Sequence, residues 1–324
     1  MAIEGDEKKL ESSVAKRVPL ETALVARWYY LDGMQKSEIA HELGISRFKV
    51  ARLLKEALSA GIVRIYVDMP TEMDLGLGEE IRTRCGVRQV FVVKPLSTVP
   101  GSASDMMAGA AAGYLMNAVS SADVVGISWG STVARVVDEI ETLPEVDIVQ
   151  MVGGVRSSGL DTSGTELVRR LSQVSAGKPY PLMAPLIVDS PATAQALRSD
   201  AAIAEVMGRY TELTFALIGV GSWDPAQSSL LGELSPNDRE EARAAGAVAD
   251  MCGIILDQSG NPVATNVRSR TLSITFDELK QVPTVVAVAG GREKAHALAA
   301  ALRSGVIDVF VTDSVCAREL VDLL

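Results

Sequence analysis

Short apolar runs alternate with helical patterns along most of this 324-residue chain, and that alternation restricts its fold more than any other feature. The runs fall at 89–93, 124–127, 147–152, 185–188, 214–220, 252–256, 284–289 and 309–312. Helical spacing of apolar residues follows several of them, at 132–140, 166–171, 239–249, 294–302 and 317–323. Strands of this length and composition need cover on both faces, which a βαβα order supplies by laying helices over a mostly parallel sheet. The expected fold class is α/β, with a Rossmann-like parallel sheet over 71–324 and a linker helix around 73–85 at its start.

The first 70 residues follow a different rule. Residues 1–18 read as a flexible arm, and 19–70 as a small helical domain. Pro19 opens a helical pattern carried by Leu20, Leu24, Trp28 and Leu31, and Asp32-Gly33 stops it. A second helix fits 36–43. Gly44 supplies a tight turn, Ser46 caps a third helix running to about Ala60, and 63–67 alternates like a strand. With Lys36 as the first position of a twenty-residue unit, Ala40 and Gly44 fall where a helix-turn-helix needs a small residue and a turn glycine. Ile39, Leu43, Ile45, Val50 and Leu53 fall where its helices lock onto a core.

In such a unit the second helix presents its first turns to the major groove. Arg47 and Arg52 are the candidates for base edges, because a guanidinium donates two hydrogen bonds to guanine. Lys49 and Lys55 suit phosphates, as do Gln35 and Ser37 at the start of the preceding helix. Ser46 stands beside them, and Phe48 suits either a thymine methyl or the core. Three helices offer few base contacts, so paired reading heads in a dimer or higher oligomer are expected.

The charge distribution agrees. The net charge of −10 hides an asymmetry: residues 1–66 hold 11 basic and 9 acidic side chains, and the remainder holds 20 and 32. A slightly basic module on an acidic body suits a DNA reader attached to a sensor. Three separated cysteines (Cys85, Cys252, Cys316) and two histidines (His41, His296) argue against a disulfide framework or a structural zinc site. No apolar run is long enough for a bilayer, and the polar first 17 residues lack a secretory pattern. The expectation is a reduced, cytoplasmic chain without metal or cofactor.

Several expected strands end in small-residue loops. Ser128-Trp129-Gly130-Ser131-Thr132 runs from a strand into a helix start, and Gly153-Gly154, Gly219-Val220-Gly221-Ser222 and Gly290-Gly291 follow other strands. In an open parallel sheet, loops at the carboxyl ends of strands converge on the ligand crevice. Backbone N–H groups and hydroxyls at a helix start favour a phosphate or carboxylate there. Trp129 suits either stacking on a sugar face or packing.

The order of these segments resembles the SorC/DeoR-type sugar-binding transcriptional regulators over nearly the whole chain. The likeness is carried by LDGMQKSEIAHELGISRFKVARLLKEA, VVGISWGST, VQMVGGV, GTELVRRL, PLIVDS, GVGS, CGIILDQSGNP and VAVAGGREKAHALAAALRSGVIDVFVTD. It implies a winged helix-turn-helix and an effector domain similar to glucosamine-6-phosphate deaminases and related isomerases. It also implies a dimer or tetramer on operator DNA, answering to a sugar phosphate. By the same resemblance Gly130, Ser131 and Thr132 hold phosphate, Gly153 and Gly154 form a second pocket loop, and Thr165 lines the pocket. Asp257 faces sugar hydroxyls and Lys294 faces phosphate.

Structural alternatives stand beside two of these assignments: Asp257 as the cap of its own turn, and Lys294 as an exposed first-turn residue. Val152 stands where the resemblance leads one to expect a basic residue, which keeps an unphosphorylated sugar or polyol open as effector. A sugar-phosphate isomerase or deaminase on the same scaffold is the competing class. It is disfavoured because His41 lies in the DNA-reading segment and His296 is placed away from the expected loops.

Overall fold

The computed structural model describes residues 20–63, 72–95, 101–156 and 163–324. The chain separates into two compact units, Met1–Asp68 and Met69–Leu324. The expected arm, Pro19, most of the strand at 63–67 and the expected boundary near 70 lie outside the described residues.

In the first unit α1 (Leu20–Tyr30), α2 (Lys36–Leu43) and α3 (Arg47–Ser59) surround a core of Val25, Ile39, Val50, Leu53 and Leu54. Local capping sets where the helices begin and end. The backbone N–H of Gln35 donates to Glu38 Oε2 (2.6 Å), Gly44 closes α2 in the left-handed region, and Ser46 Oγ accepts from the Lys49 N–H (3.2 Å). Leu43 and Ile45 pack half-buried at the core margin. The phase expected for α1 needs correction. Leu20 and Leu31 are 82% and 79% exposed, whereas Thr22, Val25 and Ala26 are buried. Two apolar sets overlap in this helix, and the one through Val25, Trp28 and Tyr29 meets α2 and α3.

The second unit opens with α4 (Leu75–Cys85), β1 (Gln89–Val93), α5 (Ser102–Ala118), β2 (Val124–Ile127), α6 (Ser131–Glu139), β3 (Asp147–Gln150), α7 (Gly164–Ser175) and β4 (Pro179–Tyr180). It continues with α8 (Pro191–Arg198), α9 (Ala201–Gly208), β5 (Phe215–Ile218), β6 (Gly221–Ser222), α10 (Pro236–Ala244), β7 (Ala249–Met251) and β8 (Ile254–Leu256). The chain closes with α11 (Asn266–Arg270), α12 (Phe276–Gln281), β9 (Thr284–Val288), α13 (Ala295–Arg303), β10 (Val309–Asp313) and α14 (Ser314–Leu323).

Seven strands form one parallel sheet in the order β1-β10-β9-β5-β2-β3-β4. Every residue of β5, β9 and β10 is buried, as central strands covered on both faces require. Apolar side chains of α5, α6 and α7 join one core cluster, and those of α4, α12, α13 and α14 join the other. The chain runs outward from β2 to β3 and β4, then returns to place β5 on the other side of β2. The strand order therefore reverses between β2 and β5.

Three expected segments differ. Residues 185–188 make only isolated bridges, Gly154 with Pro185 and Ile187 with Thr271. The stretch 239–249 is no single helix, since α10 ends at Ala244 and Ala249 begins β7. The run 252–256 joins no parallel sheet: β8 pairs antiparallel with β7, and β7 with β6, in a separate three-stranded sheet. Cys252 and Gly253, at φ 53° and 77°, make the two-residue turn of that hairpin. Helix α5 was not anticipated, because its run of alanines and glycines has no polar face of its own.

Candidate functional site

Of the residues expected to read DNA, all but the half-buried Lys49 are exposed on α2, α3 and their caps. Arg47, Phe48, Arg52 and Lys55 are exposed along α3, with Ser46 at its cap and Gln35 and Ser37 at the start of α2. Phe48 is 74% exposed with the Arg47 guanidinium 5.2 Å from its ring centroid, so the core alternative falls. Lys49 is half-buried. Its ammonium pairs with Glu21 Oε1 at 2.7 Å, which ties α3 to α1.

A pocket in the second unit opens at the carboxyl ends of β2 and β5, where the strand order reverses. An open parallel sheet leaves its crevice at such a point, because neighbouring connections depart to opposite sides. Four loop segments build the walls: Ser128 to Thr132 after β2, Gly219 to Gly221 after β5, Gln227 to Ser229 after β6, and the turn after β9 that carries Lys294. Gly130 precedes α6 at φ 117° and ψ 163°, a conformation for which a side chain is strained. No side chain caps α6, so its first N–H groups and the Ser131 and Thr132 hydroxyls stand at the pocket wall. Ser128 Oγ is buried at the same wall and has no hydrogen-bond partner among the described residues.

Facing these donors are a buried acid and a half-buried amine. Asp250, on β7, accepts from the Trp223 indole N–H (3.0 Å) and from the Ser228 hydroxyl. Burial pushes its carboxyl up to about 6, against the opposing pull of those hydrogen bonds and of the Lys294 charge. Gly221 stands opposite Asp250 in the β6–β7 ladder, and a Cβ there would lie 2.5 Å from Asp250 Oδ1. A glycine is what lets the two strands bring this carboxylate in. Lys294 Nζ donates to the Val220 carbonyl (3.2 Å). Burial lowers its pKa, while Asp250, Glu293 and Cys316 act in the opposite sense. Gln227 also lines the pocket, and its Nε2 donates to Glu293 Oε1 at 3.1 Å, linking two of the loops. Together these groups offer hydrogen-bond donors and one positive charge to an anion, and one buried acceptor to hydroxyls.

Comparisons with known proteins bear on this unit and on the whole chain. Residues 70–322 match the family model described as "Putative sugar-binding domain". The chain is 31% identical over 323 residues to the transcriptional regulator LsrR of Enterobacter sp. (strain 638), covering 97% of both proteins. It belongs to the SorC/DeoR-type sugar-binding transcriptional regulators. Another relative in this family, the deoxyribonucleoside regulator of Bacillus subtilis (strain 168), is 28% identical over 301 residues, covering 92% of this chain and 96% of that one. The fold is shared with the full-length sorbitol operon regulator SorC of Klebsiella pneumoniae, at TM-score 0.72 and 24% identity over 93% of this chain and 97% of that one. A DeoR family transcriptional regulator of Listeria monocytogenes aligns at TM-score 0.69 and 27% identity, covering 75% of this chain and 98% of that one.

Against this family's expected pattern, the structure brings Ser128, Trp129, Gly130, Ser131, Thr132, Gly221 and Lys294 to one pocket and leaves five residues outside its described walls. Gly153 and Gly154 pack on the segment 184–186, where a Cβ on Gly153 would lie 2.7 Å from the Pro185 backbone. Thr165 donates to Gln150 Oε1 (3.1 Å), and Ser222 donates to the Asp224 carbonyl. Asp257 caps its own turn, accepting from the N–H groups of Ser259 and Asn261, both at 2.9 Å. Val152 lies in the core, bridged to Ser273. The acid in the pocket is Asp250, which sequence reasoning passed over. A signal for it was present: one carboxylate inside the apolar stretch between Gly246 and Gly253.

Proposed function

We propose that this protein is a cytoplasmic, DNA-binding regulator of carbohydrate metabolism that responds to a sugar phosphate held between α6, Lys294 and Asp250. On this reading the phosphate sits on the uncapped N-terminus of α6, where backbone N–H groups and the helix dipole favour an anion. The Ser131 and Thr132 hydroxyls and the Lys294 ammonium complete its shell. Asp250 accepts hydrogen bonds from the sugar hydroxyls. Helix α3 enters the major groove of an operator, with Arg47 and Arg52 on base edges and Lys55 on phosphate. Residues 71–324 hold the chain as a dimer or tetramer, so that paired reading heads meet half-sites at a fixed spacing.

One observation carries the choice of effector: a helix start without a cap, an amine and a buried acid face one another in a single pocket at the strand-order reversal. A neutral sugar or polyol would use Asp250 and leave the anion-binding end idle. An enzymatic reading finds no histidine among the described pocket residues. The names of relatives, one for a deoxyribonucleoside and one for sorbitol, do not choose the sugar.

Calorimetry on the full chain with a panel of pentose and hexose phosphates and their parent sugars tests the reading. Lys294→Ala should weaken the phosphate ester by about 1.5–3 kcal/mol, the range for a hydrogen bond to a charged group, and leave operator binding intact. Arg52→Ala should do the converse, losing on the order of 1–3 kcal/mol at the operator. Equal binding of a sugar and its phosphate, or full-strength ester binding by Lys294→Ala, would overturn it.

A further inference from the structure

A second cavity, of about 110 Å³, lies on the other side of the β7–β8 turn from the effector pocket. Cys252 lines the effector pocket, and the next residue, Gly253, lines this cavity. Its apolar wall includes Ile254, Val263, Val267 and Phe276. The only ionisable side chains among its described lining residues are two arginines, Arg198 and Arg268. Arg198 is held in place by a hydrogen bond from Nη2 to the Thr271 carbonyl (2.6 Å). Neither arginine forms an ion pair among the described residues, whereas Arg270 close by pairs with Asp238.

These features point to one ligand chemistry. An apolar cavity of about 150 Å³ admits benzene, so this one suits a slightly smaller body, such as a branched chain of about five carbons. A carboxylate on that body would meet the guanidinium groups, whose planar forks match it in a paired geometry. The effector pocket balances its amine with a buried acid, whereas no acid is among the described residues that line this cavity. On a chain of net charge −10, two arginines without acidic partners at one cavity favour an anion there.

We propose that this cavity is a second ligand site, taking a small monocarboxylate with a compact apolar body. The inference stands apart from the sugar-phosphate reading and uses none of the residues assigned to it.

Thermal unfolding of the full chain at matched ionic strength tests it, with sodium isovalerate as probe. Sodium acetate, which has the head alone, and 3-methylbutan-1-ol, which has the body alone, serve as controls. Isovalerate at ten times its dissociation constant should raise the midpoint by about 3 °C, and each control by much less. Arg268 is exposed, so Arg268→Glu should fold normally and lose the isovalerate shift. Lys294→Ala should keep it. An isovalerate shift no greater than that of acetate up to about 20 mM, well above the millimolar constant expected for so small a ligand, would overturn the proposal. So would a shift that Arg268→Glu retains, or one that Lys294→Ala abolishes, which would put the carboxylate in the effector pocket.

Discussion

In the first unit, the side chains assigned to DNA come from one short stretch, residues 35–55, and stand on the outside of two adjacent helices. In the second, the pocket gathers Ser128, Gly221, Asp250 and Lys294 from strands and loops far apart in the chain. The first surface needs its helices held at one angle by a small core, and each reading residue is then presented by helical geometry alone. The second needs a parallel sheet in register, a separate hairpin and a turn after β9 to arrive together. A local defect should therefore disable the first without touching the second. The pocket, by contrast, is sensitive to the partners of a single buried acid.

The largest expected effect tests that separation. Ile39 is fully buried in a core of five side chains, and Ile39→Ala should cost the first unit about 2–5 kcal/mol. Calorimetric unfolding of the full chain should show an earlier transition for that unit. The main transition and sugar-phosphate binding should keep their wild-type values. A variant that loses effector binding in step with DNA binding would break the comparison.

A second test addresses the buried acid. The Asp250 carboxyl titrates at about 6 in the fold, above its ordinary value of 3.8, so the folded state holds the proton more tightly than the unfolded chain. Stability should then fall as pH rises from near 4 through 6, by roughly 3 kcal/mol from this group, and level off above. Urea unfolding at pH 4 and pH 7 measures the difference. Asp250→Asn should remove most of the slope, and an unchanged slope would assign it to other groups.

The smallest effect separates the two acids. Asp257→Ala removes two hydrogen bonds within a surface turn and should cost stability about 1 kcal/mol, with sugar binding unchanged. Asp250→Asn should weaken the same sugar. If titration shows the reverse, Asp257 is the acid that meets the sugar.

Much of this protein was legible before any tertiary contact was known. The helix-turn-helix could be read because its determinants repeat at fixed short spacing: Ile39, Ala40, Gly44, Val50 and Leu53 are specified by helix pitch and one turn. The parallel sheet could be read because strands covered on both faces are apolar throughout, as in β5, β9 and β10. The loop from Ser128 to Thr132 could be read because its glycine and hydroxyls sit between a strand and a helix start.

Tertiary structure alone decided which acid faces the pocket. Asp257 and Asp250 are both carboxylates near the same hairpin, but Asp257 finds its donors two and four residues away, so its turn forms from local sequence. Asp250 faces Gly221 only because β6 and β7 pair in one register; Trp223 and Ser228, from the loop after β6, donate to it, and the Lys294 charge comes from a segment far along the chain. The same holds for the orphaned Ser128 hydroxyl and for the meeting of Arg198 with Arg268 at one cavity. Short-range hydrogen bonds are written in neighbouring residues. The company a buried side chain keeps depends on strand pairing across long separations, which no local pattern records.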